Sequence, residues 1–388
     1  MKVTQLKDIV NGVTSEVLGK KDVVTEDLSN LVDIGNEIFD TDNVDNYVKK
    51  LIDRIGKVIF VNRLYAGGVP SVLMDSWEYG SIVEKISADM PDADENDSWN
   101  LQDGQEYSQD TFYQPKIQAK FFNSKVTFDV KLSFTTEQVK ESFSSVNELN
   151  GFISMLETGV KNSLTVKLDG LIMRTINNMT GEILNGSNAM QKVNLLTEYN
   201  TTTGQKLTAD KALTDKEFLK FASLVIKKYQ ARITKMSTLF NAGGKARFTN
   251  TDNLHTVLLS DFADSADVYL MSDTVHNDVI SLPTHETVPY WQGSGKSYAF
   301  EDVSKIDVKI NAGTKTAKTV SQTGILGVMF DTNTLGVSNL NQRTTTSYNA
   351  RAEFYTNYYK LDAGFFNDLN ENFVVFYIED TPEPEPAA

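Results

Sequence analysis

The chain has 388 residues, a formal net charge of −15, 40% hydrophobic side chains, three histidines and no cysteine. That length suits about two domains with a sizeable core, and the missing thiols exclude disulfides, thiolate zinc sites, iron–sulfur clusters and a cysteine nucleophile. The acidic excess argues against a broad phosphate-binding surface. The N-terminal stretch lacks the apolar core of a signal peptide, and no run of about 18 apolar residues could span a bilayer.

Residues 1–50 read as an arm. Ile9, Val10, Val13, Val17 and Leu18 alternate with polar residues, and acidic side chains crowd Asp22 to Asp45. Short helical segments with too little apolar surface for their own core are predicted to be loosely ordered or to lie on something else. From Asp53 to Val61 the chain passes from a helix end, with Gly56 as C-cap, into a β-branched strand. Gly67-Gly68 breaks the pattern before an extended ribbon over Val69 to Ile86, whose return partner is predicted within Phe112 to Phe134, with a bend at Asn123-Ser124. Between them, residues 86–115 hold eight acidic side chains and no lysine or arginine. Such a loop cannot bury itself, so it is predicted to project as an acidic tip.

The best helix signal covers 147–184, where Phe152, Leu156, Val160, Leu164, Leu168, Ile172 and Ile176 recur every four residues. Some 30 residues would make a rod of about 45–50 Å, with Asn185-Gly186 ending it and Gly159 and Gly170 weakening it. Residues 185–212 look like a surface excursion. A second helix is predicted to open on a Thr214–Glu217 capping box, with Phe218, Phe221, Ala222, Val225, Tyr229 and Ile233 on its apolar face. Thr256 to Leu259 reads as a buried strand, Phe262 to Met271 as a short helix, and Lys305 to Ile310 and Gly324 to Phe330 as strands. Residues 348–378 hold ten of the chain's 39 aromatic residues, read as strands Tyr348–Tyr359 and Phe373–Ile378 around a turn containing Gly364. The tail TPEPEPAA reads as disordered and acidic.

Candidate chemistry is thin. Gly293 to Ser297 (GSGKS) has Tyr290 where a phosphate loop needs its first glycine, and a strand rather than an apolar helix follows. Asp92, Asp94 and Asn96 have calcium-loop spacing, but Asp97 stands where the turn glycine belongs and Asp103 where the bidentate glutamate belongs. His255, His276 and His285 show no metal-ligand spacing, and no Gly-x-Ser-x-Gly elbow exists. No catalytic, cofactor or metal residue is assigned. Lys227, Lys228, Arg232 and Lys235 give the second helix a basic side, read as a solvated face or as a docking surface for acidic segments of a neighbouring copy.

The order of parts resembles the Hong Kong 97-type major capsid protein of tailed bacteriophages. Leu51 to Ile59 (LIDRIGKVI) is similar to the approach to the ribbon in capsid proteins of small tailed phages. Tyr348 to Tyr355 (YNARAEFY), with Tyr358-Tyr359 and the closing Phe373 to Phe376 strand, resembles their C-terminal end. The resemblance implies an α+β phage major-capsid fold. Residues 1–56 would be the N-terminal arm, 57–65 a peripheral-domain strand, 66–118 the extended loop lying across an adjacent subunit, and 119–189 the peripheral domain with its spine helix. Residues 190–345 would form an axial α/β domain, 346–380 the C-terminal peripheral strands beside 117–134, and 381–388 the tail. It also implies a head protein that self-assembles through hexamers and pentamers into an icosahedral shell around double-stranded DNA. The DNA would make no sequence-specific contacts, and an acidic lining would repel rather than trap it.

Scaffolding, portal and decoration proteins are the implied partners, with assembly in the host cytoplasm, residence in the virion and no membrane. Subunit-interface candidates are Lys85, Asp92, Asp94, Glu95, Asp97 and Asp103 on the ribbon, and Lys227, Lys228, Arg232 and Lys235 on the helix. Burying about 1,000 Å² of apolar ribbon on a neighbour would give on the order of 25 kcal/mol gross, most of it offset by ordering. Some members crosslink a loop lysine to an asparagine. Lys85 lies in the ribbon, yet nothing singles out a partner, and no crosslink is expected. Competing readings are an encapsulin-type nanocompartment shell, an acidic α/β hydrolase or carbohydrate-binding enzyme, and an adhesin-like binding module.

Overall fold

The computed structural model describes residues 3–19, 69–74, 83–88, 116–271, 282–292, 302–310 and 317–380 without a break, with single positions between 25 and 51 and most of 91–114. The expected cap at Gly56, the 57–65 strand, the Gly67-Gly68 break, the 293–297 glycine turn, His276 and the 381–388 tail lie outside the described residues.

The longest element is helix α3, Val146–Asn185, preceded by α1 (Val3–Leu18) and α2 (Thr136–Ser142). At 40 residues, α3 is about 60 Å long, longer than the predicted rod. Ser145 caps its start by accepting from the Glu148 amide at 3.2 Å, and Gly186 ends it. A side chain repeating every four residues advances about 40° per step on a 3.6-residue helix. The apolar stripe therefore winds around the rod and meets different neighbours along its length.

Its first half packs on a four-stranded sheet of order β1-β11-β12-β4. These are β1 (Leu73–Met74), β4 (Lys125–Thr135), β11 (Leu335–Asn349) and β12 (Phe354–Asn367). Its second half packs on that sheet and on a five-stranded one, β5-β13-β10-β6-β7. The second sheet comprises β5 (Lys192–Asn194), β6 (Leu254–Leu259), β7 (Glu286–Val288), β10 (Ile325–Asp331) and β13 (Phe373–Tyr377). Every residue of β10 is buried, because one face of this sheet covers α3 and the other covers α4 (Leu195–Thr203), α6 (Lys216–Ile233) and α7 (Ser260–Met271). The short helix α5 (Ala209–Ala212) links α4 to α6. Two antiparallel ribbons complete the described strands, β2 (Val83–Ala88) with β3 (Ile117–Phe122), and β8 (Ile306–Ile310) with β9 (Lys318–Gln322).

Gly181 and Gly324 are two of the glycines dictated by close approach. A Cβ on Gly181 of α3 would collide with Val308 of β8, and one on Gly324, at φ +72°, would collide with the Ile378 carbonyl.

The arm does lie on something else: its own chain. Val10 and Val13 of α1, with Ile34, Tyr47 and Leu51, join the core formed by Phe134, Phe143, Leu149 and Ile153. Tyr47 is fully buried, its ring edge-on to Phe143 at 6.4 Å and its hydroxyl 3.3 Å from Thr14. Burial pushes the Tyr47 hydroxyl up to about 12, and the Thr14 hydrogen bond offsets this only in part. The folded value is raised, so this contribution is complete below the ordinary tyrosine value near 10 and is lost as pH climbs through about 12. Two units correspond to roughly 3 kcal/mol. Alkaline titration should therefore release Tyr47 and the α1 face it packs with between pH 10 and 12, read as phenolate absorbance appearing together with protease cleavage within α1; Tyr47→Phe should abolish the coupling.

Five expectations are corrected. The second helix starts one residue later than predicted, because Asp215 is its N-cap and accepts from the Phe218 amide at 2.8 Å. A carboxylate there also complements the helix dipole. Thr214 instead donates to the Lys211 carbonyl, and Glu217 pairs with Lys220 at 3.1 Å. Residues 185–212 are not a surface excursion, since Leu195, Leu196 and Tyr199 are buried against α6. Gly364 is not in a turn but inside β12, paired with Lys125 and Ser338; the turn follows at 368–372. Tyr348 belongs to β11, and Phe373–Tyr377 joins the five-stranded sheet, not the sheet beside β4.

Candidate assembly surfaces

The β2–β3 ribbon carries three exposed large apolar side chains, Ile86, Ile117 and Phe121. Its register pairs Glu84 with Phe121, Ile86 with Ala119 and Ala88 with Ile117. Directly opposed residues share a face, so these six lie on one side. There Ile86 is 66% exposed, and Ile117 and Phe121 are each 64% exposed. Phe112 and Tyr113, just before the ribbon's second strand, are exposed as well. A monomer gains nothing by leaving such a stripe in water, and a stripe of this kind marks an interaction site.

The opposite face is fastened to the body. Lys85 of β2 reaches Asp368 at 2.9 Å and Glu371 at 2.6 Å, and Lys120 of β3 reaches the other Asp368 oxygen at 2.8 Å. Phe122 packs on Phe366 with ring centroids 5.2 Å apart. Asp368 is 2% exposed. Burial would raise its carboxyl, but hydrogen bonds from Lys120, Lys85 and the Asn370 amide outweigh it, and the net shift is downward.

Of the residues predicted to meet another subunit, Lys85 is thus committed within its own chain. Glu95 and Asp103 are exposed, whereas Asp92, Asp94 and Asp97 lie outside the described residues. Asn96 of the calcium-like spacing accepts from the Ser98 amide at 2.8 Å, and no cluster of three or more metal-ligating side chains occurs among the described residues. On α6 and just beyond it, Lys228, Arg232 and Lys235 are exposed and Lys227 half-buried, with Arg232 over the Tyr229 ring at 5.4 Å. His255 is hydrogen-bonded to Thr332 and His285 to the Pro283 carbonyl, each at 2.7 Å. Among the described residues no helix is long and apolar enough to cross a membrane.

The fastening escaped the sequence reading. Asp368 and Glu371 are ordinary turn acids in sequence, and their partners lie about 250–285 positions away. The signal available was Lys85 itself, the last cation before a stretch, 86–115, that holds eight acidic side chains and no lysine or arginine.

No curated protein matches the sequence. The fold is similar to that in the capsid structure of Staphylococcus phage Andhra, with a TM-score of 0.51, 10% identity, and 81% of this chain covering 85% of that one. The capsid structure of cyanophage P-SCSP1u is also similar, with a TM-score of 0.47, 10% identity, and coverage of 82% and 89%. The family model for the Phi29-like phage major capsid protein matches residues 6–377, nearly the whole length described above. With its spine helix, its two sheets and its ribbon anchored on one face and bare on the other, the chain belongs to the Phi29-like phage major capsid protein family.

Proposed function

We propose that this major capsid protein closes its icosahedral shell through hexamers and pentamers, on a fold of the Hong Kong 97 type. In this reading 1–56 is the arm, 57–65 leads to the ribbon, and 66–118 is the extended loop that lies across the neighbouring subunit. Residues 119–189 with 335–367 build the peripheral domain, and 190–334 with the β13 strand at 373–377 the axial domain around the symmetry axes. The supporting observation is the β2–β3 face of Ile86, Ile117 and Phe121, held outward by anchors on the reverse side. The acidic tip, including Glu95 and Asp103, docks on basic side chains of a neighbour such as Lys228, Arg232 and Lys235. The packaged genome is double-stranded DNA touched without sequence-specific contacts, scaffolding, portal or decoration proteins assist, assembly takes place in the host cytoplasm, and no catalysis is assigned.

The family match favours none of the encapsulin, hydrolase, carbohydrate-binding and adhesin readings. Electron microscopy of the expressed full-length chain tests the proposal. Closed shells or capsomer sheets are the expected result, and a stable monomer with a compact scattering profile overturns it.

A further inference from the structure

The rung at the base of the ribbon is built against itself. Lys85 and Lys120 are direct cross-strand partners, on the same face. Like charges opposed in this way destabilise a strand pair. No third strand supports this pair among the described residues, and an isolated two-stranded ribbon is marginal in water. What reverses the repulsion is the turn between β12 and β13. Asp368 takes one lysine on each carboxylate oxygen, and Lys85 also donates to Glu371 and to the Asn333 carbonyl at 3.2 Å.

The two carboxylates are not equivalent. Glu371 has a second cation from the body, Arg247 at 3.5 Å, and would keep it if the ribbon left. Asp368 would retain only the Asn370 amide at 3.0 Å and whatever water replaced the two lysines that help bury it. Lifting the ribbon breaks a charge-assisted hydrogen bond on each Asp368 oxygen, so Asp368 resists release on the body side while the lysine pair resists it on the ribbon side.

We infer that Asp368 is a latch that couples the ribbon's attachment to its pairing. The β2–β3 base is zipped only while it lies on the 368–372 turn of its own chain, and lifting it off opens the Lys85–Lys120 rung. The inference rests on the ribbon being the element that reaches a neighbour. It adds that the ribbon has a seated state and a loosened state, set by one buried side chain. An incoming subunit that pulls on the ribbon would therefore meet resistance first and a flexible base afterwards.

Hydrogen exchange on the unassembled full-length chain tests this independently of whether particles form. Asp368→Asn keeps the acceptor for Asn370 but removes the charge. Exchange at amides of 83–88 and 117–122 should rise about 10–100-fold, the loss expected for hydrogen bonds to a charged group, while amides of α3 keep their protection. Glu371→Gln should raise it far less. The triple variant Lys85→Gln, Lys120→Gln, Asp368→Asn removes the repulsion together with the latch, and should restore most of the protection lost in Asp368→Asn. Unchanged ribbon exchange in Asp368→Asn overturns the latch. So does a triple variant that exchanges as fast as Asp368→Asn alone, a comparison that holds even if the single substitution also loosens the body.

Discussion

Phe121→Asp should leave the subunit folded and abolish shell formation. Phe121 is 64% exposed, so the subunit loses little burial, and a surface change of this kind is worth within about 0.5 kcal/mol. If the ribbon lies across a neighbour as proposed, the same position meets that neighbour in the assembled state, and the new carboxylate sits directly across from Glu84. A like-charge pair must then be desolvated at each copy of the contact, at a cost of several kcal/mol apiece. Because a shell repeats the contact in every subunit, a modest penalty per copy prevents closure. Calorimetry should show a melting temperature lowered only by the small local cost of opposing a carboxylate to Glu84 in the ribbon, and sedimentation and electron microscopy should show subunits or capsomers without closed particles. Phe121→Leu, which preserves the apolar stripe, should still assemble. Normal particles from Phe121→Asp would mean that this face is not the contact.

Trp291→Ala carries the largest expected effect on the fold itself. The side chain is 1% exposed, and its indole Nε1 donates to the Ile325 carbonyl at 2.8 Å. Its backbone carbonyl accepts from Asn177 of α3 at 2.6 Å, and its amide donates to Val303 at 3.0 Å. It therefore pins the segment before β8 to both the spine helix and β10. Truncating a buried tryptophan costs about 3–5 kcal/mol through lost transfer energy and the cavity left behind. The site already borders a cleft of about 580 Å³ lined by Lys167, Arg174, Asn177 and Lys309, which water could enter once the ring is gone. Trp291→Phe should cost less, on the order of 1–3 kcal/mol, mostly for the orphaned Ile325 carbonyl. Denaturant unfolding distinguishes the two. A loss under about 1 kcal/mol for the alanine variant would contradict this account of the packing.

The sequence made local order legible where one pattern dominated. The α3 stripe from Phe152 to Ile176, the end at Gly186 and the strands at 254–259, 306–310 and 325–331 follow from periodicity and punctuation. β11 was hidden because Asn339 to Asn349 is polar and threonine-rich; it is a strand by virtue of pairing along its length with β12, a tertiary effect that outweighs propensity. Gly364 looked like punctuation, yet it sits mid-strand. The candidate surface was half legible. Alternation revealed the ribbon, and the missing cations revealed its acidic stretch, but which side is bare depends on Asp368 and Phe366, which no local window contains.

The four-stranded sheet also sets a clock. Its β12–β4 pairing joins residues 354–364 to 125–135, so about 230 residues must be synthesised between one strand and its partner. At the usual rate of roughly 5–20 residues per second, β4 and the facing side of α3 wait on the order of 10–50 s for cover. During translation the protein thus carries an uncovered apolar rod next to an unpaired strand, a state that favours holdase chaperones and penalises crowded ribosomes. The same delay separates folding from polymerisation. The turn that seats the ribbon, 368–372, is synthesised about 250 residues after Lys120, so a nascent chain cannot present a seated ribbon to a neighbour before that turn has emerged.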